Sequence, residues 1–387
     1  VRLTLVISSL GCGGAERVMT TMANHWAAKG WEITLLTLDD ESTPRFYNLD
    51  GGVRHIALGV AGNSTNLATA LRNSFKRVYK LRSAIRASRP DGVISFMDRT
   101  NVMTLLATRG LNVPVIVSER VDPNMHRIGG VWRWLRKISY PSASLLVVQS
   151  EAALNYFSPR MKSCTRIIPN PIDLPPGHLA SDSVHRPTLI SVGRLDRQKG
   201  FDLLLGAFAK LKDRHSDWTL TILGEGPQRQ QLESLRDELG LADRVMLAGC
   251  VANVYEALQQ ATLFVMSSRY EGFPNALCEA MSCGLPVIST DCPSGPRDII
   301  IDGIDGILVP NENVNALAEA MGRLMGSEVE RERLAARAPE VAERFGLERI
   351  MGMWEQALDQ ITSARSNGPV KSSDLSGKPV VLGRSWK

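Results

Sequence analysis

Two doubly wound α/β domains in tandem are the fold class this sequence predicts, and three features predict it. Apolar runs of strand length alternate with helix-period segments along most of the chain, the pattern of parallel sheets built from βαβ units. A break at residues 169–187, where Pro169, Pro171, Pro175, Pro176 and Pro187 crowd together with Gly and Ser, divides that alternation into two series. The 387 residues give each series enough chain for a core of its own.

In the first series the Leu-, Val- and Ile-rich runs at 3–8, 33–38, 92–96, 113–118 and 145–148 are expected strands. Helices lie between them, including 15–29 and 69–88, where apolar residues recur at helical spacing. The second series places strands at 188–192, 219–223, 245–247, 263–266, 286–290 and 306–309. Its helices fall at 201–213, 228–239, 254–260, 274–283 and 314–325. Domain limits of 1–172 and 173–350 follow, then a terminal helix at 351–362 returning toward the first domain. The Ser-, Gly- and Lys-rich residues 363–387 lack a periodic pattern and read as a tail.

Composition narrows the function classes. With 44% apolar and 22% charged residues the chain is neither disordered nor fibrous. The six cysteines form no CxxC pair and no Cys/His cluster at zinc spacing, so they read as reduced thiols of a cytosolic protein. No apolar run reaches the roughly 18–20 residues of a membrane helix. The first apolar run leads into Gly11, Gly13, Gly14, Glu16 and Arg17, which suits a buried strand better than a secretory signal. Residues 1–180 carry 22 Lys and Arg against 12 Asp and Glu, a net +10. The other 207 carry 23 against 28, a net −5. The first half alone is thus suited to an anionic surface or substrate.

Three places could carry chemistry. The turn Gly11-Cys12-Gly13-Gly14-Ala15-Glu16-Arg17 joins the first strand to a helix, where an anion can approach the backbone. Glu16 stands where the dinucleotide fingerprint needs its last Gly. A dinucleotide site (Asp39 and Asp40 could hold a ribose), a plain tight turn and a substrate-facing loop all remain open. After the strand ending at Val192, Gly193 and Gly200 flank Arg194 and Lys199, two cations that suit a diphosphate unless they are merely solvated. Further on, Glu271 and Glu279 bracket Gly272-Phe273-Pro274-Asn275, with Pro274 expected at the first helical position and Gly284 just past the helix end. Carboxylates flanking a helix N-terminus can accept hydrogen bonds from sugar and ribose hydroxyls while the helix dipole favours an anion. The bland alternative makes Glu271 a helix cap and Glu279 a surface charge.

Glu-x7-Glu with Gly272-Phe273-Pro274 resembles the signature of retaining glycosyltransferases of the GT-B fold, in the large family four. Gly13 to Arg17, Val192-Gly193-Arg194 through Lys199-Gly200, Gly224-Glu225-Gly226-Pro227 and the run from Gly303 to Pro310 follow in that family's order. The resemblance implies two Rossmann-like domains facing each other across a cleft. A nucleotide-sugar would be held mainly by the second and an acceptor by the first. It implies that Arg194 and Lys199 neutralise the leaving diphosphate, Glu279 binds the ribose and Glu271 orients the donor sugar. The backbone of Gly272, Phe273, Pro274 and Asn275 would assist in binding the donor, Gly13 and Gly14 would close over it, Gly193, Gly224 and Gly226 would line its site, and the backbone near Cys250 and Val251 would meet the base. No Asp-x-Asp triplet occurs, so neither a metal nor a cofactor is expected. UDP is preferred as the nucleotide on the resemblance alone.

The chain departs from the family where relatives place a histidine near the donor sugar. Here stands Ser118-Glu119-Arg120, with His126 later, similar to a branch of bacterial polysaccharide enzymes. Glu16, Glu119, Arg120 and His126 are therefore acceptor-side candidates, with a structural role for Glu119 and Arg120 as the alternative. Asp298 also stands where relatives usually carry Glu.

Two basic segments bear on the acceptor. In residues 69–89, Leu71, Phe75, Val78 and Ile85 form an apolar stripe among Arg72, Lys76, Arg77, Lys80, Arg82, Arg86 and Arg89. In residues 126–140, Trp132, Trp134 and Leu135 stand beside Arg127, Arg133, Arg136 and Lys137, the composition of a segment at headgroup level. Either is also readable as an ordinary amphipathic helix on a domain surface. Arg72, Lys76, Arg77, Lys80, Trp132 and Trp134 are the expected contacts with an anionic membrane. The expected protein is a peripheral, cytoplasmic-face transferase passing a hexose or N-acetylhexosamine to a lipid-linked glycan, without a nucleic-acid partner. A nucleotide-sugar epimerase is the rival enzyme, and an NAD- or polyanion-binding module the non-enzymatic rival.

Overall fold

The computed structural model describes residues 1–40, 42, 44–61, 67–126, 128–173 and 187–366, with 67–71 and 364–366 as backbone only. Most of the proline-rich break, the tail beyond 366, Arg127 and the side chain of Leu71 lie outside the described residues. The chain forms two compact units, one of residues 1–169 and 351 onward, the other of 170–350.

The first unit holds β1 (Arg2–Ile7), α1 (Gly14–Ala28), β2 (Glu32–Thr37), β3 (Val53–Ala57), α2 (Leu67–Ser88), β4 (Gly92–Phe96), α3 (Asp98–Thr108), β5 (Val115–Ser118), α4 (Gly130–Ser139), β6 (Leu145–Val148), the short α5 (Glu151–Asn155) and α6 (Pro159–Lys162), and β7 (Thr165–Ile167). Its seven strands are all parallel in the order β3-β2-β1-β4-β5-β6-β7. The direction of winding reverses between β1 and β4, so the crevice at their carboxyl ends is where an open α/β sheet takes a ligand. The central strands are buried on both faces, which is why they read as continuous apolar runs.

The second unit holds β8 (Thr188–Val192), α7 (Phe201–Ala209), β9 (Thr219–Leu223), α8 (Arg229–Glu238), β10 (Val245–Gly249), α9 (Val254–Gln259), β11 (Leu263–Met266), α10 (Asn275–Ser282), β12 (Val287–Asp291), α11 (Pro296–Ile299), β13 (Ile307–Pro310), α12 (Val314–Gly326), α13 (Glu328–Ala335) and α14 (Val341–Phe345). Its six parallel strands run β10-β9-β8-β11-β12-β13, with the switch between β8 and β11. One face packs Leu204, Leu205 and Phe208 of α7 with Met321 and Leu324 of α12, and the other packs α10 with Phe345 of α14.

The last helix, α15 (Leu347–Ser366), belongs to the first unit from Met351 on. There Trp354 is fully buried with its ring 6.1 Å from that of Phe96, and Glu355 accepts from Lys29 Nζ at 2.8 Å. Cys164, Cys278, Cys283 and Cys292 carry free thiols. Burial pushes that of Cys283 up to about 11, so it is a packed apolar group at neutral pH.

The basic segments need correction. On α2 the inward residues are Leu81 and Ile85, with Val78 half-buried, whereas Phe75 is 75% exposed beside Tyr79 at 74%. The expected stripe is thus offset, and its aromatic member faces outward. Arg77 Nε donates to Val60 O at 2.8 Å and Lys80 Nζ to Leu58 O at 3.0 Å, so these two cations tie α2 to the strand β3 exit. Arg72 and Lys76 remain exposed. On α4, Trp132 packs into the core with Arg99 stacked 5.6 Å from its ring, and the exposed apolar residues are Val131, Trp134 and Ile138. Those three recur at i, i+3 and i+7, one side of the helix.

Candidate active site

In the second unit the two loops bearing the candidate residues flank the β8/β11 switch point. Gly193 to Gly200 leave β8, and Ser267 to Pro274 leave β11. They are joined there by Lys199 Nζ and Glu271 Oε1 at 2.7 Å. The Glu271 carboxylate is 3% exposed and also accepts from Ser268 Oγ at 2.6 Å and Gln198 Nε2 at 3.5 Å. It does not cap α10: the N-cap position is Pro274, which makes no side-chain bond, and the helix starts one residue later than expected. Charge pairing wins because a desolvated carboxylate gains more from an adjacent ammonium than from a backbone N–H.

Lys199 reaches Glu271 because its stem lies across Gly193, where a Cβ would sit 3.0 Å from three of its methylenes. Gly224, at φ +143°, passes so close to the backbone of Gly193 that an added Cβ would lie 1.9 Å from its carbonyl oxygen. These two glycines therefore shape the floor of the β8/β9 edge. Arg194 differs from Lys199: its side chain is 70% exposed and meets only Asp196, at 3.8 Å, among the described partners. It is positioned to turn to an anion.

Glu279 lies in the second turn of α10 and is 3% exposed, which excludes the surface-charge alternative. The helix ends in a Schellman arrangement, with Gly284 N donating to Met281 O and Leu285 N to Ala280 O, and Gly284 at φ +76°. Gly272, Phe273 and Pro274 are buried at the N-terminus, where the amide dipoles favour negative charge. Gly226 follows β9, and Val251 follows β10, at the same carboxyl edge of the sheet.

Sequence reasoning missed Arg269, which anchors this loop. Its guanidinium forms a fork on Asp202 (2.8 and 2.7 Å), donates to Arg197 O at 3.0 Å and reaches Glu312 at 2.7 Å. Burial works against the Asp202 carboxylate, but the Arg269 hydrogen bonds and charge outweigh it and hold its pKa below the usual range. The loop before Glu271 is thereby clamped to α7 and to the β13 exit. Its spacing from Asp202, 67 residues, gave no local signal.

In the first unit the sequence candidates separate. Gly13 is the N-cap of α1, and the Glu16 carboxylate folds back to where a Cβ on Gly13 would be. Glu119 and Arg120 are buried. Glu119 accepts from Tyr140 Oη at 2.6 Å and lies 3.5 Å from Arg136; burial, aided by the nearby Asp98 charge, pushes its pKa up to about 7 despite those partners. The Arg120 guanidinium lies 4.0 Å over the Phe96 ring, and burial lowers its pKa to about 9. His126 alone of the pair-forming candidates on this loop is open, with its side chain 44% exposed and Nε2 3.4 Å from Asp98 Oδ2.

The family profile described as Glycosyl transferases group 1 matches residues 182–341, and that of the Glycosyl transferase 4-like domain matches residues 13–171. A Campylobacter jejuni N-acetylgalactosamine-N,N'-diacetylbacillosaminyl-diphospho-undecaprenol 4-alpha-N-acetylgalactosaminyltransferase is 30% identical over 337 residues, 84% of this chain and 90% of its own. The chain belongs to the group 1 glycosyltransferases. A second C. jejuni relative, the GalNAc-alpha-(1->4)-GalNAc-alpha-(1->3)-diNAcBac-PP-undecaprenol alpha-1,4-N-acetyl-D-galactosaminyltransferase, is 29% identical over 94% of this chain and 100% of its own. The solved structure of Anabaena HepE in complex with UDP and glucose superposes with a TM-score of 0.77 at 18% identity, covering 92% of this chain and 99% of that one, so the fold is GT-B. This glycosyltransferase has, among its described residues, no helix long and apolar enough to cross a membrane.

Proposed function

We propose that this glycosyltransferase is a retaining, metal-independent enzyme. It moves a hexosyl or N-acetylhexosaminyl group from a UDP-sugar to a lipid-linked glycan at the inner face of a bacterial membrane. The Lys199–Glu271 bridge across the β8/β11 switch point, with Arg194 beside it, carries this reading. Two cations and a fixed carboxylate on the loops of this switch point support a reading in which they serve a leaving diphosphate and the donor hydroxyls. UDP is supported by the HepE complex, and a diphospho-undecaprenol-linked acceptor by the names of the two C. jejuni relatives.

In the transfer, the bond from the anomeric carbon to the diphosphate oxygen breaks while one to an acceptor hydroxyl forms on the same face. The hydroxyl proton passes to the departing diphosphate. Arg194, Lys199 and the α10 dipole stabilise the charge that accumulates there, and Glu271 and Glu279 hold the sugar and the ribose. The exposed Phe75 and Tyr79 with Arg72 and Lys76 on α2, and Val131, Trp134 and Ile138 with Arg133 and Lys137 on α4, are the surface proposed to meet the membrane.

The experiment is a UDP-release screen with UDP-glucose, UDP-galactose and their N-acetylamino counterparts, with and without bacterial membranes, in EDTA. Label entering lipid, undiminished by EDTA, supports the reading. Conversion of donor without acceptor marks an epimerase, and activity restored only by Mg²⁺ or Mn²⁺ overturns metal independence.

A further inference from the structure

Lys199 closes a one-turn 3-10 helix, Arg197–Lys199, with Asp196 as its N-cap and Gly200 after it at φ +62°. Carbonyls at the end of a helical turn lack donors further along it and need them from elsewhere. All three of this turn accept from the loop that leaves β11: Arg197 O from the Arg269 guanidinium at 3.0 Å, Gln198 O from Arg269 N at 2.7 Å and Lys199 O from Ser267 Oγ at 2.9 Å. At Gly200 the two loops run so close that an added Cβ would lie 2.2 Å from Ser267 O. The backbone of Lys199 is therefore fixed by the loop bearing Glu271, independently of the charge pair that joins their side chains.

Arg269 is the hub of this joint. Its side chain is 15% exposed, and four of its five guanidinium N–H groups are taken by Asp202, Arg197 O and Glu312. The last of these comes from the turn after β13, where Glu312 has φ +55°, a left-handed conformation that is costly without glycine and that clusters at functional sites. The Glu312 side chain is 57% exposed, so burial does not account for that conformation. What it accomplishes is to place the carboxylate 2.7 Å from Arg269 Nε, while the neighbouring Asn311 donates to Arg269 O at 3.0 Å. We propose that Arg269 is a positioning residue for the transfer, which holds Lys199 in place for the leaving diphosphate from its seat between Asp202 and Glu312. The inference rests on the transferase reading above. With its charge met by two carboxylates and its donors committed, Arg269 is not a third cation for the donor; it acts through the backbone of residues 197–199.

The test uses the full chain and a mutant cycle, because a residue that acts through Lys199 has nothing left to act on once the ammonium is gone. Arg269→Gln removes the fork, Asp202→Asn weakens it at a partly exposed site, and Arg236→Gln, in a surface pair with Asp237 on α8, is the control. Each is made in wild type and in Lys199→Met, and UDP release is followed from UDP-glucose, UDP-galactose and their N-acetylamino counterparts. A small displacement of a catalytic group is costly, so in wild type Arg269→Gln should lower kcat by about tenfold or more and Asp202→Asn by about threefold. In Lys199→Met both should change kcat by less than about twofold, and Arg236→Gln should be silent throughout. Equal losses in the two backgrounds, the signature of a residue that merely supports the fold, overturn the proposal, as does undiminished kcat of Arg269→Gln in wild type. If Arg269→Gln does not fold, Asp202→Asn decides by the same comparison. If wild type releases UDP from none of these sugars, the cycle is read on UDP affinity by calorimetry. Weakened binding that disappears in Lys199→Met then keeps the positioning role and ends the transferase reading. Equal or absent weakening, or no UDP binding by wild type, overturns the positioning role.

Discussion

Replacing Lys199 by Met keeps the stem across Gly193 and removes only the ammonium. Its partner Glu271 is 4% exposed in its side chain and 2.7 Å away, so the variant leaves a buried carboxylate with, among the described residues, the side chains of Ser268 and Gln198 as donors. Breaking a buried pair on one side costs about 3 kcal/mol or more. At about 2–4 °C per kcal/mol, the transition of the second unit should fall by roughly 6–12 °C. Loss of the cation at the leaving diphosphate should also lower kcat/KM by at least about 2 kcal/mol, roughly thirtyfold. Arg194→Met should lose comparable activity at almost no cost in stability, within about 0.5 kcal/mol, because its side chain is solvated and weakly paired. The double variant Lys199→Met/Glu271→Gln should regain most of the stability and none of the activity. Calorimetry and UDP-release kinetics read the two quantities separately. Lys199→Met as stable as wild type, or the double variant no more stable than the single one, would refute the reasoning.

Three further outcomes are expected. Glu279→Ala should raise donor KM with little change in kcat, while Glu271→Gln should lower kcat; equal effects of both on KM alone remove the division of roles. The folded state holds the Glu119 proton more tightly than the unfolded chain, with a pKa near 7 against an ordinary 4.5. Stability should therefore fall by on the order of 2–3 kcal/mol as pH rises through that window; Glu119→Gln should flatten the dependence, and denaturation at pH 5 and 8 checks it. Val131, Trp134 and Ile138 all changed to Ser should abolish sedimentation with anionic vesicles and leave UDP binding intact, and wild-type sedimentation should weaken with salt.

The buried strands were legible because parallel strands covered on both faces read as unbroken apolar runs, and the boundaries at 92–96, 145–148, 188–192, 219–223 and 263–266 coincide with the observed ones. β3 and β7 were not, because edge strands such as Val53–Ala57 and Thr165–Ile167 carry Arg, His and Thr in place of that signal. α3 was obscured differently: it is buried almost all round, so Asn101, Thr104 and Thr108 face the interior on hydrogen bonds and no apolar stripe appears. The loop residues of the candidate site were readable from local chemistry, as glycine, cation and carboxylate at fixed offsets. Arg269 with Asp202, and Asp98 with His126, were not, since each pair is made by topology joining strand ends distant in sequence. The same limit explains Trp132 and Arg77. Composition gives the character of a helix, but its phase against the core decides which members meet solvent.

Stereochemistry tests the central claim most directly. Proton NMR of the product formed from an α-linked UDP-sugar and an accepted octyl glycoside should show the small H1–H2 coupling of an α-linkage from the first turnovers, with no covalent sugar–protein adduct by intact-mass spectrometry. A β-linked product would contradict same-face transfer at the Lys199–Glu271 site.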